Sequence, residues 1–167
     1  MTSSNDEKSP SLEVRGPVSV EETPWQEWGR GRFMGRVRHL TEQYGRPYHV
    51  GVLIEELQPG KHSCPAHYHL FEEEHVLLLE GAVTLRLGDK RYPMKPGDYV
   101  CFPAGQREGH CLINETDAPA KYLVIGEHNP NEVAVYTDSN KIMVRAFKEI
   151  YDKGATKDYW DGEAIDD

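Results

Sequence analysis

From residue 32 to residue 128 the chain repeats one pattern, a short apolar run followed by a polar break. The runs are RFMGRVRHL, YHVGVLIEEL, HVLLLEG, AVTLRL, YVCFPAG, HCLIN and KYLVIGEH. β-branched and aromatic residues dominate them, and four to eight residues is strand length, so each predicts a β-strand. The breaks PGKHSCP, LGDKRYPMKPGD, PAGQREG and NETDAP carry the Gly, Pro, Asn and Asp that set turn geometry. A turn is expected around Gly45, and VAVYTDSNKIMVRAF reads as a further hairpin around Asp138 to Asn140, outside the main body. About eight to ten short strands with these turn signals are best accommodated by a sheet closed on itself, because an open sheet would leave edges exposed. The predicted fold is all-β, a jelly-roll barrel.

Strand alternation in HVLLLE adds a constraint. If Glu74, Val76 and Leu78 face inward, then His75, Leu77 and Leu79 face outward. An outer face with two leucines needs a cover, either from the N-terminal strands or from a second subunit. A homodimer is the expectation, since two-fold dimers are the commonest oligomers.

Length and composition then set limits. The 167 residues suit one domain with tails. Residues 1–22 are polar and acidic and predict a mobile N-terminal arm; residues 23–150 predict the barrel with its flanking strands; residues 151–167 read as an acidic C-terminal tail. Trp25 and Trp28, just past the arm, are expected to pack against the body. The net charge of -9 argues against a nucleic-acid partner, which calls for clustered Lys and Arg. No apolar run reaches the length of a membrane span and MTSSNDEKSP has no export core, so a cytoplasmic location without membrane partners is expected. Cys64, Cys101 and Cys111 are odd in number and read as reduced thiols.

The candidate chemistry lies in HYHLFEEEHVLLLEG, residues 67–81. His67 and His69 are two apart, so on a strand both imidazoles leave one face and can meet one ion. Glu74 is an odd five residues beyond His69, so a turn must intervene before Glu74 opens the returning strand. Glu73 is the competing carboxylate, Glu72 is expected to be solvated, and His75 should face outward. His39, His49 and His128 lack a companion at ligand spacing and are read as structural.

The wider frame is more specific. Gly60, His67-x-His69, four residues, Glu74, six residues and Gly81 are followed by Gly97, five residues, Pro103-Ala104-Gly105, His110, three residues and Asn114. Over about residues 50–127 this resembles the two linked motifs of the cupin superfamily. The stretch GDYVCFPAG to KYLVIG is similar to single-domain bacterial cupins, some provisionally labelled sugar-phosphate isomerases.

The resemblance implies a double-stranded β-helix barrel with one divalent metal held by His67, His69, Glu74 and His110. The six-residue spacing from Glu74 to Gly81 favours Glu74 over Glu73. Three imidazoles and a carboxylate suit iron, manganese, nickel, zinc or copper and leave two open positions in an octahedral shell. Two loops depart from the family pattern: six residues separate Gly60 from His67, and four separate Gly105 from His110. These loops carry Lys61, His62, Gln106 and Arg107, which could form a polar rim for an anionic substrate.

The implied function is a metal-dependent enzyme acting on a small polar substrate, isomerase- or epimerase-like on a sugar or sugar phosphate. An iron-dependent dioxygenase and a non-catalytic metabolite- or metal-binding module are the alternatives. No general base is legible; Tyr68, Tyr99 and Tyr122 are possible proton donors, with Tyr68 on the wrong face by strand parity.

Overall fold

The structure is a computed structural model that describes residues 16–45 and 47–164. Among these residues thirteen strands form: β1 (Gln26–Arg30), β2 (Phe33–His39), β3 (Val50–Leu57), β4 (His67–His69), β5 (Glu74–Glu80), β6 (Val83–Leu87), β7 (Lys90–Met94), β8 (Tyr99–Phe102), β9 (His110–Ile113), β10 (Ala120–Glu127), β11 (Val133–Tyr136), β12 (Lys141–Val144) and β13 (Glu149–Asp152). Two antiparallel sheets result, ordered β1-β2-β3-β10-β5-β8 and β13-β12-β11-β4-β9-β6-β7. This is the predicted jelly roll; the β11–β12 hairpin forms around Asp138 to Asn140 as expected, but not outside the main body, because β11 pairs with β4 and so joins the seven-stranded sheet. No helix among the described residues is long and apolar enough to cross a membrane.

Alternation decides what each strand buries. Val76 and Leu78 of β5 face the core, joined by Leu57, Val83, Leu85, Met94, Phe102, Leu112, Ala120 and Tyr122 between the two sheets. Strand β10 anchors the six-stranded sheet, pairing with β3 from Ala120↔Leu57 to Glu127↔Val50 and with β5 on its other side. A bulge leaves Leu79 of β5 without a partner opposite the Lys121–Tyr122 step. Gly81 ends β5 at φ +77°, and a β-carbon there would lie 2.6 Å from the Pro119 carbonyl oxygen, so only glycine fits.

Asn114, fully buried, donates from Nδ2 to the carbonyls of Leu57 and Ala118 and accepts from the Thr116 backbone N–H and hydroxyl. It thereby fixes the turn that leads into β10.

Three strands were not expected from the pattern. KRYPM, read as part of a break, forms β7; its Pro93 is tolerated because β7 is the edge of its sheet. β1 has no clear alternation and forms by pairing with β2, from Gln26↔Val37 to Arg30↔Phe33. β13 spans the boundary expected at residue 150.

The expected arm lies outside the described residues as far as residue 15. Beyond it Thr23 is buried and bonded to Ser19, and Glu21 pairs with Arg38 at 2.9 Å. Trp25 stacks on the guanidinium groups of Arg36 and Arg38, 4.6 and 4.4 Å from its ring centre. The N-terminal strands extend the sheet sideways, Val20 and Trp25 line a surface cleft together with Leu79, and the outer face of β5 and β8 stays partly exposed. Leu79 there is 40% exposed and Tyr99 is 59% exposed.

Candidate metal centre

The site lies between the two sheets. β4 of the seven-stranded sheet carries His67 and His69 on one face, with the buried Tyr68 on the other. β9 lies beside it, and His110 is the cross-strand partner of His67. Glu74 reaches the same place from the first position of β5 in the opposite sheet.

The link from β4 to β5 turns because a carboxylate organises it. Glu132, just before β11, is fully buried and accepts the backbone N–H groups of Leu70 and Phe71, each at 3.0 Å. Its Oε1 also lies 3.2 Å from His69 Nδ1. One buried carboxylate thus holds the turn and accepts a hydrogen bond from the Nδ1–H of His69, so Nε2 presents a lone pair to the barrel. His67 is fixed in the same way, its Nδ1 lying 3.0 Å from the Pro65 carbonyl oxygen.

The consequence is a pair of imidazoles whose Nε2 atoms face each other at 3.1 Å. With both Nδ1 protons engaged, neither Nε2 carries a proton to donate, and two lone pairs at that distance call for a cation between them. His110 lies flat on Phe102, ring centres 3.8 Å apart, and its buried Nε2 has no hydrogen-bond partner. Glu74 approaches at 3.6 Å from His110 Nε2 and 3.8 Å from His69 Nε2, too far for a hydrogen bond. The imidazole nitrogens of His67, His69 and His110 all lie within 4.8 Å of one another. Neighbouring ligands of a transition ion stand about 3 Å apart when each bond is about 2.1 Å. The donor set therefore fits a divalent transition metal.

Electrostatics agree. Burial, with His110 and His69 close by, pushes the pKa of His67 down to about 4, so it is neutral and ligand-competent near pH 7. Burial alone would disfavour the Glu74 charge. The nearby imidazoles, His110 first and then His69 and His67, outweigh it electrostatically and hold its carboxyl below the usual range.

Two cavities meet at this point, and Leu53, Glu74 and Val124 line both. The inner one, of about 200 Å³, is lined also by Glu55, Ser63, Cys64, His67, His110 and Tyr122. The second, of about 220 Å³, includes His39, His69, Glu72, His128 and Arg145.

Lys61, His62, Gln106 and Arg107 line neither cavity. Lys61 bonds the Gly31 carbonyl, and His62 packs edge-on against Phe33 and bridges to Ile113. Gln106 closes a turn onto Pro103. His75 faces outward as strand parity predicts, with its ring nitrogens held by Glu73 at 2.9 Å and Tyr99 at 2.6 Å.

Glu72 is not solvated as expected. It is 4% exposed, forked by the guanidinium of Arg145 and bonded by the Asn129 backbone N–H at 2.6 Å. Arg145 lies 73 positions away in sequence, beyond the reach of any local pattern. Glu132, Arg145 and Glu55 carried no spacing signal. The one hint was a glutamate at each face of the apolar strand VGVLIEEL.

Comparison with known proteins adds independent support. The family model for the cupin domain matches residues 53–126. A solved structure from Silicibacter pomeroyi, described as a sugar phosphate isomerase of the cupin superfamily, is 30% identical with a TM-score of 0.74, covering 87% of this chain and 98% of that one. Another, from Acidithiobacillus ferrooxidans and provisionally named a sugar phosphate isomerase, is 26% identical with a TM-score of 0.77, covering 83% and 90%. Among curated proteins, one of Oryza sativa subsp. japonica named "Probable (S)-ureidoglycine aminohydrolase" is 29% identical over 83 residues, 50% of this chain. The chain spans only 26% of that relative's length.

Proposed function

The chain belongs to the cupin superfamily, and from that premise we propose that it is a metal-dependent enzyme that isomerises or epimerises a small hydroxycarbonyl substrate of the sugar or sugar-phosphate class. The observation that carries the reading is the 3.1 Å approach of two imidazole Nε2 atoms whose Nδ1 protons are already engaged. Such an arrangement is electrostatically costly unless a cation belongs there.

His67, His69, His110 and Glu74 would hold the ion. When bound, it would act as a Lewis acid on a substrate carbonyl or hydroxyl oxygen. The chain's own residues do the rest. Glu132 and the Pro65 carbonyl keep His69 and His67 in the tautomer that leaves Nε2 free. Phe102 holds the plane of His110. Leu53, Val76, Leu112 and Val124 give the inner cavity apolar walls that exclude bulk water from the reacting atoms. The names of the two structural relatives support the substrate class.

The apolar and aromatic exposure of Leu79 and Tyr99 on the outer face of β5 and β8 supports a homodimer formed through it.

Elemental analysis of protein purified without added metal should find about one transition ion per chain. That protein should then exchange a carbon-bound hydrogen of some aldose, ketose or their phosphates in deuterated water, read by NMR. A protein that carries no ion and takes up none on titration overturns the proposal. Iron as the bound metal with substrate-dependent oxygen consumption would replace it with a dioxygenase, and metal binding without turnover would leave a binding module.

A further inference from the structure

The inner cavity contains a second carboxyl group that metal binding does not use. Alternation along β3 turns Leu53, Glu55 and Leu57 inward, so Glu55 stands on the apolar face of the strand, two residues from the fully buried Leu57. Its cross-strand partner on β10 is Tyr122, 1% exposed, whose hydroxyl donates to Glu55 Oε2 at 2.5 Å.

Among the described residues, the three buried glutamates and Glu74 are compensated. Glu56 on the outer face pairs with Arg36 at 2.8 Å, Glu72 with Arg145, Glu132 with two backbone N–H groups, and Glu74 faces three imidazoles. Among the described residues no cation stands against Glu55, and Oε1 makes no hydrogen bond. A carboxyl kept this way serves no packing purpose, since it costs free energy that a leucine would not.

We infer that Glu55 is the proton-transfer group of the inner cavity, oriented by Tyr122, and that it takes and returns the proton of a substrate held beside His67, Glu74 and His110. The inference rests on the metal-dependent isomerase reading above and supplies the base that reading lacks. The C–H bond next to the substrate carbonyl breaks, its electron pair forms a carbon–carbon double bond while the carbonyl π pair moves onto its oxygen as an enediolate, and the proton goes to the Glu55 carboxylate. Return of that proton to the former carbonyl carbon, as the hydroxyl proton passes from one oxygen to the other, gives the isomer; the epimer requires the original carbon to be reprotonated on its opposite face, and in neither case does an oxidant or reductant enter. The titration behaviour suits a group that must both accept and donate near neutrality. Burial, opposed by the Tyr122 hydrogen bond and aided by the Glu74 charge, moves the Glu55 pKa up to about 7.

The test uses cobalt-loaded full-length protein and acetohydroxamate, a small bidentate oxygen ligand that releases a proton on binding a metal. Binding is followed by the cobalt absorption spectrum across pH. Glu55→Gln should keep one cobalt per chain while weakening hydroxamate by about tenfold or more and flattening its pH dependence near 7. Tyr122→Phe removes the bond that lowers the Glu55 pKa and should move that pH dependence upward, a shift that a merely structural tyrosine would not produce. If Glu55→Gln binds hydroxamate with unchanged affinity and pH profile, or loses its cobalt, Glu55 is not the proton-transfer group, although the metal site stands. If the unmodified protein takes up no cobalt, the metal reading itself fails and the inference falls with it.

Discussion

Replacing Glu132 by Gln tests the link between the turn and the ligand tautomer with one isosteric change. The native carboxylate is fully buried and accepts three hydrogen bonds, two from Leu70 and Phe71 N–H and one from His69 Nδ1. An amide keeps one acceptor oxygen and aims an NH2 group at a donor, so at least one charge-assisted bond is lost, worth about 1.5–3 kcal/mol. For a chain of this size that lowers the melting temperature of the metal-free protein by about 4–10 °C. The second consequence is specific to the site. If His69 Nδ1 loses its acceptor, the ring is free to place its proton on Nε2, facing His67, and metal affinity should fall about 10–100-fold. Thermal unfolding of metal-free protein gives the first number, and competition against a chromophoric chelator gives the second. An unchanged metal affinity alongside the expected loss of stability would show that Glu132 serves the turn alone. If neither changes, the buried carboxylate is not holding what the geometry says it holds.

Other consequences are cheaper to check. His110→Ala should strip the bound ion and His75→Ala should not, since both ring nitrogens of His75 are engaged on the outer face; equal losses by elemental analysis would mean that the inward-facing set is misassigned. His67 has its folded pKa lowered to about 4 from 6.5, so between these values the unfolded chain binds more protons than the folded one. The metal-free protein should therefore lose stability as pH falls from about 6.5 toward 4, by up to about 3 kcal/mol from this residue, and urea melts of His67→Gln should lack that component. Light scattering should give twice 19.0 kDa if the outer face of β5 and β8 pairs with a second copy, and Leu79→Glu should halve it; a particle of 19.0 kDa for the unmodified protein ends the dimer proposal.

The site divides into what short-range order can specify and what it cannot. His67 and His69 share a face because side chains alternate along a strand, and Glu74 joins them because four residues are enough for the chain to turn back. Both relations hold within eight residues, so the spacing alone expresses them. His110 required the second motif, because its adjacency to His67 depends on β9 lying beside β4. Glu132 acts from before β11, and its position against His69 exists because β11 pairs with β4 on the side away from β9. Glu72 looks like surface charge in sequence because its neighbours Glu73 and Glu74 are acidic too; the fold of Arg145 back over the turn reverses that reading.

Glu55 is the sharpest case. Adjacent to Glu56 in a strand with apolar residues on both faces, it offered no way to decide which glutamate pointed into the barrel. The choice is made by registration against β10, which sets Tyr122 opposite Glu55. Arg36 lies opposite Glu56 on the neighbouring β2. One glutamate meets a guanidinium on the outer face and the other meets a phenol beside the candidate metal position. The two residues are chemically identical and consecutive, so the difference between a structural ion pair and a proposed catalytic acid–base group lies entirely in strand pairing.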